Sequence, residues 1–267
     1  MFITRLLSGI VLLAIIIAAG IFGGPVLWCL VTLISLLGVF EIYRMLKLHK
    51  TALGYAGFAL CLLLDGALFF GNTQVANAML VLALLLFMAI YVVTYPKFSA
   101  KEVFSAYTAW VYAAVLLSFL YRVRIEENGI LLYWMVFIGT WGSDTCAYCI
   151  GCLFGKHKAF PKLSPKKSVE GCIGGALGTA LIAGIYAFCI SYFIEGAEVS
   201  VVGFALMGVA ASVISQIGDL AASAMKRNYE IKDYGTLIPG HGGILDRFDS
   251  IIFTAPLVYY LAQFIAM

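Results

Sequence analysis

Apolar residues run along this chain in long stretches, and polar residues collect in the short segments between them. Nine stretches reach or approach the roughly 20 residues that an α-helix needs to cross a bilayer. They cover residues 6–22, 25–40, 52–71, 75–95, 103–121, 130–153, 172–194, 200–224 and 250–266. The pattern predicts an all-α integral membrane protein, a polytopic bundle of about nine transmembrane helices.

The beginning of the chain predicts a helical hairpin. Only Gly23, Gly24 and Pro25 separate the first two stretches, and these residue types favour a tight turn. Arg5 followed by an apolar run resembles a signal peptide, but no small-residue cleavage site follows it. We therefore expect the first helix to be retained.

Composition agrees with a membrane protein. The 267 residues are 63% hydrophobic and 12% charged, and the mean hydropathy is +1.01. Soluble domains carry about 25% charged residues. The net charge of +3 is too small to indicate a nucleic-acid partner.

The distribution of basic residues predicts the orientation. If the nine stretches alternate in direction, all of the 17 Lys and Arg residues except Arg122 and Arg124 fall on one side. Loops that face the cytoplasm carry an excess of Lys and Arg. We therefore expect the N-terminus in the cytoplasm and the C-terminus outside. A different number of spans would scramble the pattern, so the pattern supports the count.

The two parts of the chain differ in character. Residues 1–125 form about five apolar helices with few charges, which predicts a scaffold. Residues 126–267 form about four helices and two cytoplasmic loops, and they hold nearly all the polar residues that lie within stretches. We expect the chemistry in this second section.

The densest group of charges lies in residues 215–249, between two apolar stretches. Ionisable groups beside a bilayer are costly unless they are paired, metal-bound or hydrated, and they mark functional sites. Asp219, Ser223 and Lys226 have the spacing of one helical face. This face can be a metal or phosphate site, or an ion pair that locks two helices, and both interpretations stay open.

A glycine-rich segment follows, with Gly240, His241, Gly242 and Gly243. Glycines let backbone N–H groups approach a ligand closely, and such amide arrays bind phosphate. Asp246, Arg247 and Asp249 then begin the last stretch. Together with Asp219, these two acids predict a Mg²⁺ site, since Mg²⁺ takes hard oxygen ligands and is often shared with substrate phosphates. Stabilisation of a helix N-terminus is the simpler role for Asp246 and Asp249, but it does not explain why three acids, four basic residues and a glycine loop occur together.

Two upstream features can contribute to the same chemistry. Asp144 lies within the sixth stretch and needs a partner there. The loop 155–171 is rich in lysine and contains Lys166, Lys167 and Ser168. Its lysines can enforce topology and touch anionic headgroups, or bind the phosphates of a nucleotide or lipid.

Other patterns are better explained by packing. Cys146, Cys149 and Cys152 have metal-ligand spacing, but no further Cys or His cluster completes a ligand set, so we interpret them as small helix residues. The spacings Gly171–Gly175 and Gly174–Gly178 predict close helix packing.

These motifs resemble the signature of the phosphatidate cytidylyltransferases, or CDP-diacylglycerol synthases. The resemblance rests on the run from Ser223 to Asp249, which includes Lys226, Arg227 and the segment Pro239-Gly-His-Gly-Gly, and on the upstream segments around Asp144 and Lys166-Lys167-Ser168. Ser168 stands where threonine is common in the family, and the hydroxyl is kept. Residues 1–125 resemble the family only as apolar spans.

The resemblance implies Mg²⁺-dependent transfer of a cytidylyl group from CTP to phosphatidate in phospholipid biosynthesis, with pyrophosphate released. It implies that the metal is held by acids and that basic residues and the glycine loop meet the phosphates; a second cation stays open. The metal ligands are then Asp219, Asp246, Asp249 and Asp144; the groups that neutralise phosphates are Lys226, Arg227 and Arg247; and the substrate-binding residues are Lys166, Lys167, Ser168, Ser223, Gly240, His241, Gly242 and Gly243.

Two alternatives remain. A CTP-dependent polyprenol kinase needs similar metal and phosphate groups, and a proton- or ion-coupled transporter can use acids such as Asp144 and Asp219. The lysine loop and the glycine segment argue against the transporter. We expect an enzyme in the cytoplasmic (inner) membrane of a bacterium, with its active site facing the cytoplasm. The resemblance also implies a homodimer.

Overall fold

The computed structural model describes residues 2–194 and 199–264, with side chains from residue 5 onward. The protein is an all-α polytopic membrane protein, as predicted. Seven of its described helical segments are long and apolar enough to cross a bilayer. They are α1 (Phe2–Phe22), α2 (Gly24–Met45), α3 (Ala52–Phe69), α4 (Thr73–Val93), the continuous helix formed by α5 (Ala100–Trp110), a π-helical segment (Val111–Val115) and α6 (Leu116–Ile125), and then α9 (Val169–Phe193) and α10 (Val201–Asn228).

Two of the nine predicted spans are helical without being among those seven. The sixth stretch falls on α7 (Gly129–Phe137), a π-helical segment (Ile138–Gly142) and α8 (Ser143–Phe154). The last falls on α11 (Leu245–Ala262), and residues 265–266 of that stretch lie outside the described residues. Both helical segments carry acids of the candidate site, which lower their apolar character. The count of nine stays a prediction.

Local sequence signals explain where several helices begin. The predicted hairpin is confirmed: α1 ends at Phe22, and the turn uses positive φ angles of 59° at Gly23 and 43° at Gly24. Hydroxyl side chains at Thr51, Ser99, Ser168 and Ser200 cap the following helices by accepting a backbone N–H three residues later.

The described chain forms two compact units. The first comprises the residues up to Arg122 together with Asp233–Arg247. Within it, α2 packs on α3, and α3 packs on α4 and α5. Buried aromatic side chains fill this unit, and the hydroxyl of Tyr43 donates to the carbonyl of Ala106 at 2.9 Å. Residues 233–247 thus belong with helices that precede them by more than a hundred residues.

The second unit comprises Val123–Lys232 and the described residues from Phe248 onward. In it, α9 packs closely against both α8 and α10. Glycines permit this approach: a Cβ added to Gly174 would lie 2.5 Å from Ile150, and one added to Gly178 would lie 2.6 Å from Sγ of Cys146. The predicted close packing at these glycines is therefore confirmed.

The lysine-rich segment is more ordered than a loop. It forms a short antiparallel hairpin of β1 (Lys158–Phe160) and β2 (Ser164–Ser168), in which Lys158 pairs with Ser168 and Phe160 with Ser164. The hairpin runs directly into α9, because Ser168 is both the last residue of β2 and the N-cap of α9. The sequence predicted a loop at this position.

Candidate active site

A cavity of about 460 Å³ lies within the second unit, between α8, the lysine hairpin, α9 and α10. Small residues of α8 and α9 form part of its wall, and basic and hydroxyl side chains of the hairpin form another part. Its lining consists of Asp144, Ala147, Tyr148, Gly151, Cys152, Lys158, Ser164, Lys166, Lys167, Ser168, Gly171, Cys172 and Gln216. Four predicted site residues are therefore brought together: Asp144, Lys166, Lys167 and Ser168.

An ion pair connects the hairpin with α10. Nζ of Lys167 lies 2.5 Å from Oδ2 of Asp219, and the two side chains are 22% and 33% exposed. The charges of Asp219 and Lys167 also act on the carboxylate of Asp144. The positive charge of Lys167 favours the carboxylate of Asp144, and the negative charge of Asp219 opposes it. Two acids and one lysine form a small charged group at the cavity.

The positive charge of this cavity suits an anionic ligand. Lys158, Lys166 and Lys167 all line it, together with the hydroxyl groups of Ser164 and Ser168. Ammonium groups neutralise phosphate charge, and hydroxyls supply further hydrogen bonds. The volume falls within the range of small-molecule sites, about 300–1,000 Å³.

Ser168 has a structural role as well as a place in the wall. Its hydroxyl accepts the N–H of Gly171 at 3.1 Å and thereby caps α9. The neighbouring Glu170 holds the segment that follows α8: its carboxylate accepts the N–H of Lys156 at 3.1 Å and contacts Nδ1 of His157 at 2.6 Å. These bonds fix both ends of the lysine hairpin to the start of α9.

The glycine segment lies in the first unit and forms a compact turn. The N–H of His241 donates to the carbonyl of Ile238, and the N–H of Ile238 donates to the carbonyl of Gly242, both at 2.9 Å. Gly240 and Gly242 have positive φ angles of 77° and 87°, which glycine adopts without strain. The turn uses the amide of His241 internally, so it is not available to a phosphate.

Asp246 organises the same segment. Its buried Oδ2 accepts the N–H of Tyr234 at 2.8 Å and the N–H of Gly243 at 2.9 Å. The bond to Gly243 ties the segment before α11 to the first turn of that helix. The amide of Gly243 is therefore also committed to the turn. Asp246 therefore stabilises the N-terminus of α11, the simpler of the two roles predicted for it. Its role as a metal ligand stays a prediction.

Glu41 is the acid that the sequence interpretation missed. It lies in α2, is 4% exposed, and accepts the N–H groups of Ile244 and Leu245, each at 2.9 Å, where α11 begins. One turn along α2, Arg44 donates to the carbonyl of Tyr234 at 2.7 Å. Helix α2 thus holds the glycine segment in place. The available signal was an acid near the end of an otherwise apolar stretch.

The remaining predicted residues lie on α10 and α11. Ser223, Lys226 and Arg227 occupy the last turns of α10, and Arg227 is exposed. Arg247 is exposed at the start of α11, in the first unit. Asp249 lies in the second unit, where its backbone carbonyl is close to Gly218 of α10. The predicted site residues are therefore divided between the two units.

Two predictions concern metal ligands: the acidic Mg²⁺ site and the spacing of the cysteines in α8. Within residues 5–194 and 199–264, no three His, Cys, Asp or Glu side chains are grouped so as to hold a metal ion. All seven cysteines are free thiols, and Cys146 packs against Gly178. Cys146, Cys149 and Cys152 are residues of helix α8, as interpreted, and Cys149 and Cys152 are exposed.

Comparison with known proteins adds a family. The sequence matches the cytidylyltransferase family over residues 3–265. It is 31% identical to the phosphatidate cytidylyltransferase of Bacillus subtilis (strain 168) over 263 residues, which cover 96% of each chain. It is 30% identical to that of Staphylococcus haemolyticus (strain JCSC1435) over 262 residues, 96% of this chain and 97% of the relative. It is 36% identical to that of Staphylococcus aureus (strain COL) over 167 residues, 62% of this chain and 61% of the relative. This chain belongs to the cytidylyltransferase family.

Proposed function

We propose that this chain is a phosphatidate cytidylyltransferase, which converts CTP and phosphatidate into CDP-diacylglycerol and pyrophosphate. The observation that carries the proposal is the cavity lined by Lys158, Lys166, Lys167 and Asp144, in a membrane protein of this family. One substrate is a nucleotide triphosphate and the other a lipid phosphate. Both are anions, and the cavity supplies positive charge beside apolar helices.

The reaction forms one phosphorus–oxygen bond and breaks another. A phosphate oxygen of phosphatidate attacks the α-phosphorus of CTP, and the bond to the β-phosphate oxygen breaks as pyrophosphate leaves. Phosphatidate is already ionised at neutral pH, so a strong base is not required. Catalysis consists mainly of neutralising charge and holding the reacting groups together. Lys166 and Lys167 neutralise charge at the cavity. Further proposed cations are Lys226, Arg227 and Arg247. The backbone amides of Gly240 and Gly242 are further proposed hydrogen-bond donors to phosphate.

Mg²⁺ is the proposed cofactor. Proteins commonly hold this ion with one or two carboxylates plus substrate phosphates, so a cage of three acids is not needed. Asp144 and Asp219 fit this description, because both are carboxylates of the second unit and each feels the charge of the other beside the cavity. When bound, Mg²⁺ would neutralise charge on the triphosphate. Asp249 and Asp246 remain further proposed ligands, and a second cation remains open.

We further propose that the cavity opens to the cytoplasm, that the protein resides in a bacterial inner membrane, and that it forms a homodimer. The orientation is supported by the one-sided distribution of Lys and Arg. Labelling of Cys152, which lines the cavity, with a membrane-impermeant thiol reagent in inside-out and right-side-out vesicles tests the orientation. Cross-linking in native membranes tests the dimer.

Product analysis tests the reaction. Purified protein is given Mg²⁺, phosphatidate and CTP labelled at either the α- or the γ-phosphate. Label from α-labelled CTP should enter the lipid, and label from γ-labelled CTP should leave as pyrophosphate. A polyprenol kinase would instead transfer the γ-label and release CDP, and a transporter would form neither product. Asp219→Asn should lose lipid labelling, whereas Cys149→Ser, outside the 460 Å³ cavity lining, should keep it.

A further inference from the structure

A second pocket, of about 360 Å³, lies beside the first turns of α1 and shares no lining residue with the 460 Å³ cavity. Its lining residues all belong to the first unit, and they are Arg5, Leu6, Gly9, Ile10, Leu13 and His241. None of them is acidic. The aliphatic side chains are exposed, with Leu6 52%, Ile10 53% and Leu13 42% accessible. The pocket therefore combines a basic end with an apolar wall.

The basic end is built from α1 and the glycine segment. The side chain of Arg5 lies across Gly240, where a Cβ would meet Cγ of Arg5 at 2.7 Å. The guanidinium of Arg5 forms no ion pair with an acid among the described side chains. A cation beside a bilayer without an acid partner is suited to an anionic ligand.

Hydrogen bonds orient the imidazole of His241 toward this pocket. Oγ of Ser8 lies 2.8 Å from Nδ1 of His241, 3.0 Å from the carbonyl of Pro239 and 3.1 Å from the carbonyl of Arg5. In the tautomer in which Nδ1 of His241 accepts the Ser8 hydroxyl, the ring carries its proton on Nε2. The Nε2–H group is then the donor that faces a ligand in the pocket.

Gly9 keeps that edge of the ring accessible. A Cβ on Gly9 would lie 3.7 Å from Cε1 and 3.9 Å from Nε2 of His241, which is ordinary contact distance. Glycine at this position therefore leaves space directly in front of Nε2. A larger side chain would fill the space without removing any charge, and this makes Gly9 useful for a test.

We propose that this pocket binds the phosphate of a phosphomonoester lipid, with an acyl chain along Ile10 and Leu13. A guanidinium and an imidazole nitrogen converge there, and a phosphomonoester presents three terminal oxygens to them. Arg5 and Leu13 are eight residues apart, about 12 Å along a helix. That is most of one leaflet's hydrocarbon thickness, about 15 Å. The choice of phosphatidate as the lipid rests on the proposed function.

Site-specific photo-cross-linking tests the proposal. The photoreactive residue benzoylphenylalanine replaces Ile10, which lines the pocket, or the adjacent Val11, which is 57% exposed and does not line it. Each variant is placed in phosphatidylcholine vesicles that contain a small fraction of radiolabelled phosphatidate, phosphatidylglycerol or phosphatidylcholine. At each position we compare labelling by phosphatidate with labelling by phosphatidylcholine. We expect this ratio to be several-fold higher at position 10 than at position 11.

Variants separate the charge from the shape of the pocket. Arg5→Gln should remove the preference for phosphatidate, Arg5→Lys should retain part of it, and Gly9→Leu should remove it although the charge remains. Thermal unfolding of each variant checks that it is folded.

Equal labelling at positions 10 and 11 would overturn the site. Equal enrichment of phosphatidylglycerol, a phosphodiester, would overturn the phosphomonoester assignment. Cross-linking needs neither CTP nor turnover, so its result can be read even if cytidylyl transfer is not observed.

Discussion

The buried acids of the first unit and the cavity acid of the second unit have different partners. In the first unit, Glu41 and Asp246 are buried, and their carboxylates accept backbone N–H groups. In the second unit, the half-buried Asp219 pairs with the ammonium group of Lys167 at the cavity. When a carboxylate leaves buried amides, their N–H groups remain buried without an acceptor, which costs free energy. A carboxylate paired with a lysine can exchange partners when a phosphate or a cation arrives. The first arrangement maintains a shape, and the second is suited to binding.

The largest loss of stability is expected at Glu41. Glutamine at this position keeps one acceptor oxygen but places an NH₂ group against the other amide of the Ile244–Leu245 pair. A buried donor without an acceptor destabilises by about 1–3 kcal/mol. We expect Glu41→Gln to lower the unfolding temperature and product formation together, and Glu41→Ala to lower both further, as measured by circular dichroism and lipid labelling.

The exposed Glu127 provides the matched control for that experiment. Glu127→Gln should behave as the wild type in both assays. A Glu41→Ala protein with wild-type stability would show that the two amide bonds contribute nothing to the first unit.

A smaller loss of stability is expected at Asp246. Asparagine can retain an oxygen toward the amides of Tyr234 and Gly243, but the bonds lose their charge assistance, at about 1 kcal/mol. If Asp246 also serves the reaction, Asp246→Asn should lower turnover about 100-fold while the unfolding temperature changes little. Parallel losses of stability and turnover would instead assign Asp246 to the turn alone.

For the ion pair of the second unit we expect a small effect on stability and a large effect on turnover. Partly exposed pairs contribute about 0–1 kcal/mol to stability, so Lys167→Gln, Asp219→Asn and the double variant should unfold near the wild-type temperature. Each single variant should nevertheless lower turnover about 100-fold. A double-mutant cycle in unfolding free energy measures the coupling directly. A coupling of several kcal/mol would show that the Lys167–Asp219 pair also maintains the structure, as the acids of the first unit do.

The smallest effect is expected at the edge of the cavity. Lys158 is exposed and lines it, whereas Lys162 of the same hairpin is exposed and does not. We expect Lys158→Gln to raise the KM for CTP about threefold and to lose this effect at high salt, because exposed charges are screened within about 8–10 Å. Lys162→Gln should leave the KM unchanged at every salt concentration.

Much of the fold could be predicted because membrane helices depend on local sequence. Apolar length located the seven membrane-long helices, the Gly23–Gly24 turn followed from residue type, and the glycine spacing in α9 located its contact with α8. Each of these signals lies within a few neighbouring residues. Spans with acids, such as α8 and α11, gave a weaker signal because the acids lower their apolar character.

The candidate site was less predictable because its contacts join distant parts of the chain. Three separate signals indicated these residues: a lone acid in an apolar stretch for Asp144, the lysine-rich loop for Lys167 and the charge cluster for Asp219. Their convergence depends on how α8, the lysine hairpin and α10 pack. The role of Glu41 could not be found from spacing, since its partners are 203 and 204 residues away. The sequence motifs were also uninformative there, because they all lie after residue 125, whereas the family match extends over residues 3–265.

The contact between Glu41 and the start of α11 has a consequence for the order of synthesis. Glu41 leaves the ribosome 203 residues before Ile244. At about 5–20 residues per second, that interval is on the order of 10–40 s. During this interval, the carboxyl group of Glu41 must remain hydrated or protonated, because the amides of Ile244 and Leu245 have not yet been synthesised. The first unit is therefore completed only after residue 245 has been synthesised, and chains truncated before residue 244 should be recognised by membrane quality control as unfinished.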